Sequence, residues 1–127
     1  MPGTLLYEYA VLRAVPRVER EEFINVGVVL YCRQRRSLEA RIHLDTARLQ
    51  ALAPGADTEE IQAFLDAFAR ICRAEKGAGP IAALDAASRF RWLTATRSTV
   101  LQCSKVHPGL CEAPEATLDR LFRELVL

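Results

Sequence analysis

The chain has 127 residues, 50% of them hydrophobic and 26% charged, with a formal net charge of +1. That length fits one domain, residues 1–127, able to bury about two-thirds of its unfolded surface without a disulfide or a metal. The near-neutral balance excludes an overall field that gathers nucleic acid or anionic membrane, and no apolar run approaches the roughly 18 residues of a membrane span.

The opening Met-Pro-Gly-Thr lacks a basic segment followed by an apolar one, so no signal peptide is read and a cytoplasmic protein is expected. Leu5–Val15 is rich in aromatic and branched residues and predicts a strand. By its two-residue period Tyr7, Tyr9, Val11, Arg13 and Val15 share one face, and Leu6, Glu8, Ala10, Leu12 and Ala14 the other. Pro16 ends it, since proline gives no N–H to a ladder. Residues 17–25 read as one helical turn or a wide loop. Val26–Cys32 is apolar without alternation, as expected of a central strand covered on both faces. Arg33-Gln34-Arg35-Arg36 predicts an exposed hairpin turn, and the alternating Leu38–Leu44 a half-buried strand at a sheet edge. These three strands make an antiparallel meander.

Asp45 caps a short helix to Leu52, which Pro54-Gly55 breaks. Asp57 and Glu60 open a long helix to about Lys76, with Ile61, Phe64, Leu65, Phe68, Ile71 and Cys72 on one stripe. Gly77-Ala78-Gly79-Pro80 stops it. Ile81–Ala87 reads as a further short helix, and Ser88–Thr96 is ambiguous. Ser98–Val106 has strand character and supplies the fourth strand, with Pro108-Gly109 as a turn. Pro114 fits the first position of a last helix, whose buried stripe is Leu118, Leu121, Phe122, Leu125 and Val126. Asp119 and Arg123 are spaced for an outward pair on that helix. The expected fold class is α+β: a small, mostly antiparallel four-stranded sheet with helices packed mainly on one face.

The polar connection between the first two strands is the densest cluster of groups needing partners. Arg13, Arg20, Glu22 and Asn25 sit at neighbouring strand ends. They read either as a structural network, with Glu22 accepting a bidentate Arg and Asn25 tying down loop backbone, or as an anion or peptide pocket with Arg13 and Arg20 as donors. Gly27 permits close backbone approach. Arg97, Ser98 and His107 belong to the same set if the fourth strand pairs with the first. A general base at His107 is conceivable from its residue type, but a lone histidine before Pro-Gly more often makes one turn hydrogen bond. Ser98 and Ser104 lack a nucleophile signature such as GxSxG. Trp92 reads as a plug over the sheet edge or as an interface anchor. Of the four cysteines, Cys32 and Cys72 read as buried thiols. Cys103, His107 and Cys111 lack the close-spaced pair of a zinc site, so no metal and no cofactor is expected.

The stretches YEYAVLRAVPRVEREEFINVGVVLY, residues 7–31, and RFRWLTATRSTVLQCSKVHPGLCEAPEATLDRLF, residues 89–122, resemble a bacterial family catalogued as domain of unknown function 3037. The order Arg13, Pro16, Arg20, Glu22, Asn25, Val26, Gly27 carries the likeness. The family's last helix often begins Asp-Pro. Here it is Ala113-Pro114, which removes a cap worth ~1 kcal/mol. The resemblance implies a small cytoplasmic protein with a HipA-like kinase as partner. Two functions follow from the sequence. One is a non-enzymatic protein-interaction or regulatory module. The other is a small enzyme or ligand-binding protein for a phosphorylated or nucleotide-like molecule, with Arg13, Arg20, Arg97 and His107 converging. Nucleic-acid binding through Arg33–Arg36 ranks below both, because no aromatics interleave the arginines.

Overall fold

A computed structural model describes residues 4–127. Met1-Pro2-Gly3, part of the opening segment read for a leader, lies outside the described residues. In chain order the elements are β1 (Leu5–Ala14), a 3-10 turn (Val18–Arg20), β2 (Ile24–Cys32), β3 (Ser37–Ile42), α1 (Thr46–Leu52) and α2 (Thr58–Cys72). A second 3-10 turn (Ile81–Ala83), α3 (Ala86–Thr94), β4 (Leu101–Cys103), β5 (His107–Cys111) and α4 (Pro114–Leu125) follow. The fold is α+β, with an antiparallel sheet ordered β3-β2-β1-β4 and with β5 also on β1.

The meander holds, and β2 explains its missing alternation. Tyr7 to Leu12 pair with Cys32 to Gly27, but Arg13 then faces Asn25, so Val26 is an extra residue in a bulge. The bulge switches parity. Ile24 and Val26 therefore face the same core as Val29 and Tyr31, while Val28 and Leu30 face the other side. Gly27 is required by close approach: a Cβ there would stand 2.8 Å from the Arg41 carbonyl oxygen of β3.

Two cores flank the sheet. The larger joins Leu12, Val26 and Val29 to Leu49 of α1, Leu65 of α2 and Phe90 of α3. The smaller joins Tyr7, Val28 and Leu30 to Leu118 and Leu121 of α4. Three helices thus share one face and one takes the other. Full burial of each such side chain is worth ~1.5–3 kcal/mol.

Asp45 and Asp57 cap where the sequence puts them, and Asp85, expected inside a helix, instead caps α3. The Asp45, Asp57 and Asp85 carboxylates accept from the amides of Arg48, Glu60 and Ser88 at 3.1, 3.0 and 2.8 Å. Ala113 before α4 makes no side-chain cap bond. α2 stops at Cys72, short of the expected Lys76. Ala74 adopts a left-handed φ of 54°, with Ala74 N–H on the Ile71 carbonyl and Glu75 N–H on the Arg70 carbonyl, both at 3.0 Å. This is a Schellman closure built on alanine, so the glycine signal three residues later misplaces the stop. Phe64 leaves the predicted stripe and is exposed. The expected helix over 81–87 is only a 3-10 turn, and Ala86-Ala87 belong to α3, which resolves the ambiguous 88–96 segment as helix. Asp119 pairs with Arg41 of β3 at 3.1 Å rather than with Arg123.

The sheet has a fifth strand because the fourth edge is interrupted. β4 pairs with Leu12–Ala14 and β5 with Leu5–Tyr9, so the two run end to end along β1. Pro108-Gly109 lies inside β5 rather than in a turn. Proline is tolerated because this strand is an edge. Gly109 is needed because the Tyr7 ring lies over it, within 2.4–2.7 Å of where a Cβ would be. At the interruption Ser104 N–H donates to the Val11 carbonyl and the Val11 N–H donates to Ser104 Oγ, both at 2.8 Å. Both residues are buried. Ser104→Ala strands the Val11 N–H, and a loss of ~1–3 kcal/mol in urea unfolding is expected. Ala113→Asp should instead raise stability by ~1 kcal/mol, through the cap that α4 lacks.

Candidate functional site

The connection between β1 and β2 makes local pairs rather than one network. Arg20 Nε donates to Glu22 Oε1 at 2.6 Å and Nη2 to Oε2 at 3.2 Å, a bidentate pair in solvent. The Arg20 bond, opposed by desolvation, holds the Glu22 carboxyl below its ordinary range. Arg17 lies 3.7 Å from Glu19. A shallow cleft of about 220 Å³ beside this loop includes Arg17, Arg20 and Glu22, whose charges already have partners.

The other expected site residues go elsewhere. Arg13 stacks on the Phe23 ring, its guanidinium carbon 4.2 Å from the centroid. Asn25 does not tie down its own loop. Its Nδ2 donates to the Leu125 carbonyl at 3.0 Å, and Arg48 Nη1 donates to the Val126 carbonyl at 3.3 Å. Two side chains from outside thus satisfy carbonyls that the end of α4 leaves open. Arg97 stacks on Trp92 at 4.2 Å and donates to the Leu93 and Trp92 carbonyls, closing the end of α3. His107 sits opposite Tyr9 in the sheet, its ring 5.3 Å from the Tyr9 ring. Ser98 is exposed between α3 and β4. Arg20 and Glu22 are brought together, whereas Arg13, Arg97 and His107 each rest on a different aromatic ring.

Chemistry at Cys72 and Cys103 is disfavoured by burial. It pushes the Cys72 thiol up to about 12 and the Cys103 thiol up to about 11, outweighing Arg97 and Arg13 near the latter. Among the described residues no three His, Cys, Asp or Glu side chains gather as a metal site requires. No helix there is long and apolar enough to cross a membrane.

One surface feature was hidden in the core stripe. Phe64 of α2 and Trp92 of α3 are 43% and 42% exposed and border an apolar groove of about 180 Å³. Ile71, Leu101 and Arg97 also line it. Periodicity could not show this, because Phe64 fits the buried stripe and only the spacing between α2 and α3 leaves it open. Trp92 carried the one sequence signal, as an interface anchor.

The sequence model of the family described as "Protein of unknown function (DUF3037)" matches residues 9–126, nearly the whole chain, and the chain belongs to that family. No curated protein and no solved structure matches it.

The two halves of the polar motif should respond differently to truncation. Asn25→Ala should cost ~0.5–1.5 kcal/mol, because the Leu125 carbonyl loses its donor. Arg20→Ala should fold with an unchanged urea midpoint at neutral pH, since its pair is exposed. Parallel urea titrations followed by circular dichroism check both.

Proposed function

From membership of this family and the geometry of the groove, we propose that the chain is a non-enzymatic protein-interaction module that docks its partner at Phe64 and Trp92. The observation that supports this most is two large aromatic side chains left about half exposed side by side, with a guanidinium stacked on one of them. Trp and Arg are the residue types that most often dominate binding energy at interfaces. Phe90 and Leu93 of α3 are buried, so the helix presents Trp92 from a fixed base.

The proposed occupant is a row of apolar side chains with a carboxylate at its edge to meet Arg97. The proposed partner is a HipA-like kinase, the kind that the family resemblance implies. Regulation of that kinase in the bacterial cytoplasm is the role this reading gives the chain. Free Cys32, Cys72, Cys103 and Cys111 fit a reducing compartment.

Calorimetric titration of the full chain into a purified HipA-like kinase of the same organism tests the reading. Phe64→Ala/Trp92→Ala should weaken binding at least ~30-fold, the loss expected of a hot-spot pair. The exposed control Gln62→Ala should bind as the parent does. An equal affinity for the double variant, or no heat with the parent chain, overturns the proposal. Self-association lost with the same two substitutions would assign the groove to a second copy instead and overturn the kinase as occupant.

A further inference from the structure

A cleft of about 870 Å³ opens between the β2–β3 hairpin turn and the first turn of α3, away from the apolar groove. Its volume falls in the roughly 300–1,000 Å³ range of small-molecule sites. Leu6 and Tyr31 contribute apolar surface to its lining, and Arg33, Arg36 and Arg89 contribute charge. Leu6 is 49% exposed, a large apolar side chain left bare beside guanidiniums.

The charge is unbalanced there. Arg17, Arg20, Arg41, Arg73 and Arg120 all have carboxylates within ion-pair distance. Among the described residues Arg33, Arg36 and Arg89 have none. Asp85 is the one acid lining the cleft among the described residues; its carboxylate caps α3 and also feels the charge of Arg89, which leaves Arg33 and Arg36 as the cleft's cations without an acid beside them. Other cations without an ion pair, such as Arg35, Arg48 and Arg70, lie elsewhere, but the cleft brings three arginines of this kind to one concave place.

Two further features fix this charge in position. Arg89 is half-buried and donates to the Leu84 carbonyl at 2.7 Å and the Cys72 carbonyl at 3.4 Å. Arg36 holds a left-handed φ of 49°, a conformation in which glycine or asparagine is the ordinary hairpin residue. An arginine there carries a backbone cost that its side chain does not offset by any ion pair among the described residues. Strain of this kind concentrates at binding sites.

We infer that this cleft binds a nucleotide-type organic phosphate, its phosphates on the Arg33 and Arg36 forks and its ring over Leu6. The planar guanidinium takes two phosphate oxygens at once, and Arg89 adds a fixed charge behind them. The apolar surface favours a ligand with a ring over a bare inorganic anion. Arg13, Arg20, Arg97 and His107, expected from the sequence to form such a pocket, do not line it.

The test is an amide-resolved NMR titration of the full chain with ATP, in about 0.15 M salt so that exposed charges are screened. Saturable shifts are expected at Arg33, Arg36, Ala86 and Ala87, with inorganic pyrophosphate binding at least about tenfold more weakly. Arg33→Ala/Arg36→Ala should fold normally and lose at least about tenfold in ATP affinity. Arg36→Gly separates site from scaffold. It should melt roughly 2–5 °C higher, through relief of the backbone, while binding ATP less well. No saturation by about 1 mM ATP, or unchanged affinity in the double variant, overturns the site. Pyrophosphate binding as tightly as ATP overturns the ring over Leu6. A single-stranded oligonucleotide that binds there tighter than ATP assigns the cleft to nucleic acid and overturns the proposal.

Discussion

β1 must be hydrogen-bonded along both edges, and most of the architecture follows from that. Its central residues Ala10, Val11 and Leu12 are buried, so water cannot satisfy their amides and carbonyls. β2 supplies one edge along nearly the whole strand. The other edge is shared by β4 and β5, which leave a gap opposite Val11. Ser104 closes that gap with its hydroxyl as well as its amide. A side chain here does the work of a missing stretch of strand. Once β1 is satisfied on both sides, its two faces are free to seed the two cores.

The same constraint explains which parts of the fold could be read from sequence. Strand periodicity, Pro16, the Asp45 and Asp57 caps and the apolar stripe of α4 are local signals, and each acts where it stands. The interrupted edge is not local. Pro108-Gly109 reads as a turn in isolation, and becomes strand only because Tyr7, a hundred residues earlier, lies over Gly109. The early stop of α2 is missed for a related reason: Ala74 takes a conformation that its residue type does not advertise. Phe64 fits the helical stripe but sits where no neighbour covers it.

The polar motif between β1 and β2 shows a similar division. Its residues are recognisable in order, and the Arg20–Glu22 pair was expected of that order. The destination of Asn25 was not, because its partner is the carbonyl of Leu125, at the far end of the chain. With Arg48 on the Val126 carbonyl, this bond fixes the end of α4 against the sheet from two elements at once. One member of the motif, Asn25, therefore serves to dock a helix, while Arg17, Arg20 and Glu22 pair within the connection. Arg13 and Arg97 likewise rest on aromatic rings, while Arg33 and Arg36, in a turn that reads as ordinary solvated charge, line a cleft.

The groove and the cleft lie at opposite ends of one helix. Trp92 and Arg97 stand at the end of α3, while Asp85, Ala86 and Arg89 stand at its start. That arrangement invites a coupling argument, but the packing of α3 opposes it. Phe90 and Leu93 are almost fully buried between the two features, and Phe90 stacks on Tyr31 of the sheet at 5.4 Å. Such anchoring favours a single position for α3, whereas coupling requires two states that a ligand at either end can select. The physical expectation is two independent surfaces on a rigid support, so that a ligand in the cleft, were one bound, would change the charge near α3 without moving Trp92.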